Sequence, residues 1–397
     1  MITILADKNI PFLMDIVPES FQVHFFDPEK SFSHEFDDLR RSSVHGILIR
    51  TVTKIDPHNF ESALFPNLMF IGTASAGIDH VDVDYLKKIS VHFSSAGGCN
   101  ANAVGEYVAT GILHWSLSNN LNLDSLRVGI IGVGNTGSSV YDKLKGLGCK
   151  CALYDPPRSN RDDKFVSASL SEILDCDILT FHVPLTKNND SKYPTLHWLN
   201  DEKLSKFDGK LIVNASRGEV VDEKALINWK TRSSKSKDFI LDVWDSEPDI
   251  NVELAKKSWL ATPHIAGYSN QSKWNATHMI VDELSRFFDV PQENVIFVDF
   301  ITDNTNPENS KTDFDTKNSS DINEIATLEN LHPMFHLNEK LKSGISDSKD
   351  ANIKLFRTLR THSKLRNEFK SLSVDQIQTF EQFSNVYKLL MVAKGIQ

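Results

Sequence analysis

The feature that most constrains the fold is the run 127–137, Arg-Val-Gly-Ile-Ile-Gly-Val-Gly-Asn-Thr-Gly. A short β-branched apolar run enters three glycines, and Tyr141, Leu144 and Leu147 follow at helical spacing. A second apolar run then ends in Asp155. Strand, glycine turn, helix, strand and acid, in that order, are the parts of a dinucleotide-binding βαβ unit. Gly132 permits the tight turn, Gly134 lets the backbone approach a pyrophosphate, and Gly137 lets the helix lie close to the strand. Asn135 and Thr136 open the helix, whose N-terminus faces the anion. Asp155 can accept both ribose hydroxyls and would repel a 2′-phosphate, so the expected cofactor is NAD. Arg158 and Arg161 nearby can touch an adenine or a 2′-phosphate, but beside Asp155 they read first as solvated loop residues.

The rest of the chain repeats the alternation. Strand-like runs occur at 2–6, 44–49, 68–71, 128–131, 151–154, 177–181, 210–213 and 238–243, with polar or amphipathic stretches between them. That rhythm predicts an α/β fold of two Rossmann-like, doubly wound parallel-sheet domains. A full α/β unit precedes the glycine loop, and residues 102–118 read as a long helix joining the two. The stretch 302–321 is almost wholly polar and reads as a flexible loop or linker. Beyond it Leu355, Leu359, Phe369, Ile377, Phe380, Tyr387 and Leu390 recur at helical spacings, so the tail is ordered. Phe25 and Phe26 read as core residues.

Length and charge set limits. A chain of 397 residues has room for two or three domains. The formal net charge of −10 argues against a nucleic-acid surface, which needs clustered cations. No apolar stretch reaches membrane-spanning length, and Met1–Asp7 reads as a first strand, not a signal peptide. Cys99, Cys149, Cys151 and Cys176 lack paired metal spacing; no metal is expected, and buried thiols in a reducing cytoplasm are the simplest reading.

Three further strand ends carry chemistry. Arg217 follows the strand 210–213, where open α/β sheets place their ligands, and its guanidinium can hold a carboxylate in two-pronged fashion or pair with Asp222 or Glu219. Leu241-Asp242-Val-Trp-Asp245-Ser-Glu247-Pro248 is another strand ending in acids, and Ala261-Thr-Pro-His264 ends a further short run. An Arg, a Glu and a His at successive strand ends form a more specific set than any one alone. Arg50, Thr51, Thr53 and Lys54 cluster after the strand 44–49, where they can bind a phosphoryl group or simply solvate a turn.

In "GVGNTG", "NASRGEVVD", "LDVWDSEP" and "TPHIAGYS", in that order, the chain resembles the D-isomer-specific 2-hydroxyacid dehydrogenases. A narrower resemblance, to members that act on a small phosphorylated 2-hydroxy acid and carry a C-terminal dimerisation domain, rests on "LIRTVTKI", "GTASAGIDHVD", "GCNANAVGEYV", "YDPPRSNR" and "HIAGYS". It is dense over 1–290 and faint beyond, where "LFRTLRTHSKLRNEF" carries it.

The resemblance implies an NAD-dependent enzyme in which His264 takes the C2 hydroxyl proton, Glu247 orients the imidazole and Arg217 binds the carboxylate. Asp155, Ser216, Asp242 and Gly267 fall to the cofactor, with Asp242 on the nicotinamide side. Thr51, Thr73, the turn Ser75-Ala76-Gly77 and Tyr268 fall to the substrate. It further implies a substrate domain of 1–95 plus 266–290 and an NAD-binding domain of 96–265, with the active site between them. Residues 291–397 would form a smaller α+β domain making a homodimer. Val183 departs from the threonine common at its position and removes a possible cofactor contact. Two other readings stay open: a different dehydrogenase of the same family, such as a phosphoglycerate type, and a non-catalytic NADH-sensing protein on the same fold.

Overall fold

The computed structural model describes residues 1–30, 41–187, 191–232, 236–291, 324–363 and 365–396, so the polar segment 302–321 lies outside the described residues. The chain divides into two compact units, Met1–Asn100 with Gln271–Asn318, and Ala101–Asn270 with Ser319–Gln397.

In the first unit β1 (Ile2–Asp7), β2 (Phe21–Phe26), β3 (Val44–Ile49), β4 (Phe70–Thr73) and β5 (His92–Ser95) form a sheet in the order β2-β1-β3-β4-β5. Every pairing is parallel, with Ile47 opposite Leu5 on one side and Ile71 on the other. Alternate side chains leave the sheet on opposite faces. Leu5, Ile47, Ile49 and Ile71 pack with Phe60 and Leu86, while Ile4, Ala6, Leu48 and Phe70 pack with Ile280, Val281 and Leu284 of the helix Asn270–Phe287. Both faces are therefore covered, as parallel strands require.

Two strands were not foreseen. Both β2 and β5 are sheet edges, where polar residues replace the continuous apolar run of a central strand. The expectation that Phe25 is a core residue is corrected: on this edge strand Phe21 and Phe26 pack into the clusters on opposite faces of the sheet, Phe26 being 2% exposed, while Phe25 is 46% exposed.

In the second unit β6 (Arg127–Ile131), β7 (Lys150–Tyr154), β8 (Ile178–Phe181), β9 (Leu211–Asn214), β10 (Asp238–Leu241) and β11 (Leu260–Ala261) take the order β11-β10-β9-β8-β6-β7, all parallel. The first of these strands, β6, has β7 on one side and β8 on the other. The connection reverses direction there, which opens a crevice at the carboxyl ends of β6 and β8. The helix Ala101–Ser118 is apolar nearly all round, so it is a core helix; Val104, Val108 and Ile112 join Val128, Ile130 and Val213 in one cluster.

The tail belongs to this second unit. Expected as α+β, its described residues are helical: Glu324–Leu331, Met334–Gly344, Lys349–His362 and Ser384–Lys394. The apolar residues recur at three- and four-residue spacings, which suit helices and not strands. Leu328, Met334, Leu337, Phe369, Ile377 and Leu390 are buried in the same cluster as the helix Ala101–Ser118. Two buried carboxylates add polar ties. Glu106 accepts from the Phe369 amide at 3.0 Å and from Arg366 at 2.5 Å, and Glu368 accepts from Asn102 at 2.7 Å and Ser269 at 2.8 Å. Each buried apolar side chain stabilises by roughly 1.5–3 kcal/mol, whereas the Coulomb gain of a buried ion pair is largely offset by desolvation. Apolar contact therefore holds the tail in place, and the ion pairs set its register.

Cys99, Cys149 and Cys176 are buried and Cys151 is half-buried, all as free thiols. Burial pushes Cys149 and Cys176 up to about 11 and Cys151 up to about 12, so they are poor nucleophiles. Among the described residues no helix is long and apolar enough to cross a membrane.

Candidate active site

The glycine loop leaves β6 at the reversal of the sheet. Gly132 has a φ of 85°, and a Cβ there would lie 2.5 Å from the His182 carbonyl oxygen after β8. A Cβ on Gly137 would lie 1.9 Å from the Gly132 oxygen, so the helix Asn135–Gly146 approaches the turn too closely for any side chain. Gly134 differs: nothing stands within 4 Å of where its Cβ would be, and Asn135 beside it is exposed. Two glycines thus build the loop, and the third leaves an open face next to Asn135 and the half-buried Thr136 at the helix N-terminus, where an anion could be accommodated.

Asp155 shapes this loop from the end of β7. Its Oδ2 accepts the Val133 amide at 2.8 Å and its Oδ1 the Arg158 amide at 2.9 Å. Each oxygen keeps a further lone pair that can accept a second donor. The reading of Arg158 as a solvated residue is corrected. Its Nη1 donates to the Val133 carbonyl at 2.7 Å, and its guanidinium lies over the Phe165 ring at 4.5 Å. An apolar shelf and a loop carbonyl at a strand end capture it, whereas Arg161 makes an exposed contact with the Pro157 carbonyl.

Three adjacent strand ends bring the Arg, Glu and His together. After β9, the Asn214 side chain accepts from the Ser216 amide and hydroxyl at 3.1 and 2.9 Å and donates to the Arg217 carbonyl at 2.8 Å, folding a turn. A Cβ on Gly218 would meet the Trp244 carbonyl carbon at 1.9 Å, so only glycine lets this turn abut the segment after β10. That close approach sets Arg217 beside Glu247. Glu247 Oε1 accepts the Trp244 amide at 2.9 Å, and Oε2 meets His264 Nδ1 at 2.7 Å. A neutral imidazole donating from Nδ1 presents its lone pair at Nε2.

His264 adopts a left-handed φ of 58°, a conformation that costs energy outside glycine and is held by its surroundings. Asp242 supplies the hold. Its carboxylate, 1% exposed, accepts the Ile265 amide at 2.7 Å, the Ala266 amide at 2.8 Å and the Thr262 hydroxyl at 2.7 Å. Burial pushes this carboxyl up, against the pull of His264, the Thr262 hydroxyl and the two amides. For Glu247 burial also pushes up, but the His264 imidazole, the Trp244 amide and the Arg360 guanidinium outweigh it and hold the carboxyl below its ordinary value. Arg217, Glu219, Val243, Trp244, Glu247 and His264 line a cleft of about 240 Å³.

The remaining expected residues take definite places. Ser216 is spent inside the Asn214 turn, and Gly267 is half-buried just before Tyr268. The Tyr268 hydroxyl accepts from Arg360 Nε at 3.1 Å. In the first unit the Thr73 hydroxyl bonds Ser75 Oγ at 2.8 Å and His80 Nε2 at 2.9 Å, and Ser75 donates to the Gly77 carbonyl, bracing the turn through Ala76. Thr51 and Lys54 are exposed, Thr53 is buried, and Arg50 is committed to the buried Asp7 in a two-pronged pair at 2.8 and 3.3 Å. Sequence reasoning missed Arg360, Gly218 as a contact residue, and Asp242 as the anchor of the histidine loop. The glycine next to Arg217 was a visible signal for the second, and Arg360 falls within "LFRTLRTHSKLRNEF", the stretch of the tail that carries the resemblance.

Taking a hydride from a carbon that bears a hydroxyl requires a base for the proton and a clamp for the neighbouring carboxylate, beside a nicotinamide site. An imidazole, a carboxylate and a guanidinium in one cleft are groups of the kinds such chemistry uses, and the arrangement is that of a hydroxy-acid dehydrogenase. The model of the D-isomer-specific 2-hydroxyacid dehydrogenase NAD-binding domain matches residues 104–266, so that segment is an NAD-binding domain. An erythronate-4-phosphate dehydrogenase of Bacteroides thetaiotaomicron is 34% identical over 94% of this chain and 98% of its own length. Enzymes of the same name from Marinomonas and from Escherichia coli O1:K1 are 32% identical over 93% of both chains, and 40% identical over 72% of this chain and 73% of theirs. The D-lactate dehydrogenase of Aquifex aeolicus, solved with NAD and lactic acid, shares the fold with a TM-score of 0.56 and 24% identity, over 72% of this chain and 95% of that one. This chain belongs to the family of erythronate-4-phosphate dehydrogenases, a branch of the D-isomer-specific 2-hydroxyacid dehydrogenases.

Proposed function

We propose that the protein oxidises 4-phospho-D-erythronate at C2 to (R)-3-hydroxy-2-oxo-4-phosphooxybutanoate, reducing NAD, as a step of pyridoxal phosphate biosynthesis. The observation that carries the chemistry is the 2.7 Å contact between His264 and Glu247 beside Arg217 in one cleft. The name shared by relatives that match nearly the whole chain supports the substrate.

NAD, when bound, accepts the hydride leaving C2. His264 Nε2 takes the hydroxyl proton, and Glu247 holds the Nδ1 proton so that the resulting imidazolium is paired as it forms. Arg217 binds the substrate carboxylate and stabilises charge at the developing carbonyl oxygen. Asp242 fixes the His264 loop and is assigned to the nicotinamide side, and Ser216 and Gly267 are assigned to the cofactor. Gly132, Gly134, Asn135, Thr136 and Gly137 take the pyrophosphate and Asp155 the ribose. Thr51, Thr73, Ser75, Ala76, Gly77 and Tyr268 are assigned to the substrate. The cytoplasm is the proposed location, and residues 291–397 the proposed route to a homodimer.

The deciding assay follows NADH formation with 4-phospho-D-erythronate, 3-phospho-D-glycerate and D-lactate, trapping the oxo product. Preference for the phosphoerythronate is expected. Preference for another of the acids keeps the mechanism and removes the substrate assignment; NADH binding with no turnover favours a sensor. The phosphoryl group has its own test. Lys54→Ala should raise KM about tenfold for the phosphorylated acid, the scale of one charge-assisted hydrogen bond, and leave an unphosphorylated acid nearly unchanged. Equal effects on the two would remove Lys54 from the phosphoryl site.

A further inference from the structure

Arg360 lies in the helix Lys349–His362 of the C-terminal extension, remote in sequence from the strand ends bearing Arg217, Glu247 and His264. Its guanidinium nevertheless reaches them. Nε donates to the Tyr268 hydroxyl at 3.1 Å, and the guanidinium carbon lies 5.8 Å from that ring's centroid. Nη1 stands 3.7 Å from Glu247 Oε2, the oxygen that meets His264 Nδ1. The chain just after this helix is pinned beside the same loop: Arg366 forms a bridge with Ser269, and its carbonyl accepts the Asn270 amide at 2.9 Å.

The geometry gives Glu247 a problem that Arg360 answers. One carboxylate oxygen is spent on the Trp244 amide and the other on His264, and the residue before it, Ser246, has a left-handed φ of 60°. A carboxylate on such a loop orients an imidazole only if its own rotation is restrained. A guanidinium is a planar, permanently charged group suited to that task. With the Arg360 side chain only 32% exposed, solvent screens the pair less than at a free surface.

We propose that Arg360 is a positioning residue of the catalytic pair, holding Glu247 and Tyr268 in register so that Glu247 can orient His264. The extension is then part of the active site of its own chain, whatever it contributes to dimer formation. The inference rests on reading Glu247 and His264 as the base pair.

The test compares the wild-type enzyme with Arg360→Gln and Arg360→Lys, each alone and combined with Glu247→Gln. Arg360→Gln should lower kcat on the order of tenfold, with KM and NADH affinity held within about twofold. Arg360→Lys should recover part of the loss, because it restores charge but not the fork. In the Glu247→Gln background the Arg360→Gln step should cost little, since the charge it addresses is gone. Equal losses in both backgrounds, or a loss confined to KM, would overturn the proposal. If Arg360→Gln fails to fold, Arg360→Lys alone, which keeps the charge and loses the planar fork, should still lower kcat a few-fold with KM held; an unchanged kcat there overturns it too. A readout without substrate separates this from the reaction itself. In histidine-labelled protein the His264 Nδ1 proton resonance should move or vanish with Arg360→Gln and persist with Arg360→Lys. A resonance that does not respond overturns the proposal, while a responsive one in a protein that turns over no hydroxy acid overturns the reaction alone.

Discussion

His264→Gln is expected to lower turnover of the preferred 2-hydroxy acid by roughly a thousandfold or more, the upper range for loss of a positioned general base, with NADH affinity unchanged. The size follows from what the side chain does. Glutamine at 264 can still donate toward Glu247 Oε2, now 2.7 Å from the imidazole, and can accept a hydrogen bond from the hydroxyl, but it cannot take the proton. The cofactor loop is built from other residues: Gly132 and Gly137 by close approach, Asp155 by its bonds to the Val133 and Arg158 amides. Binding and chemistry should therefore separate. NADH fluorescence titration beside steady-state kinetics checks both, and turnover within tenfold of wild type would remove His264 as the base.

Glu106→Gln should destabilise the protein by about 3 kcal/mol, because it leaves the Arg366 guanidinium buried without its anion. The pair's side chains are 0% and 7% exposed, and Glu106 also accepts the Phe369 amide. Arg366 keeps the Ala103 carbonyl at 3.0 Å, and carbonyls do not replace a carboxylate. The contrast is Lys87→Ala, which breaks an ion pair to Asp84 whose side chains are 71% and 80% exposed and should cost under about 1 kcal/mol. Denaturant midpoints for the two variants, compared with wild type, decide it. A Glu106→Gln midpoint no lower than that of Lys87→Ala would show that apolar packing alone registers the tail.

Much of this is legible in the order of residues alone. The central strands and the glycine loop were readable because their signals are local: a β-branched run, three glycines and an acid lie within one short stretch. Arg217, Glu247 and His264 were readable for a related reason, since each sits just past an apolar run and parallel sheets gather strand ends on one edge. The edge strands β2 and β5 were not, because an edge needs no continuous apolar pattern. Nor was the fate of Arg158, which depends on Phe165 returning beneath it.

By itself, then, the order of residues determined the class of fold, the kind of cofactor and the three chemical groups, since periodicity and turn chemistry act over a few neighbours. Tertiary structure decided the rest. The Gly218 turn lies against Trp244, Asp242 turns inward to hold the His264 loop, and Arg360 arrives at Glu247 from the C-terminal helices. Each joins residues far apart in sequence, and their distance is set by how whole elements pack, which no local pattern encodes.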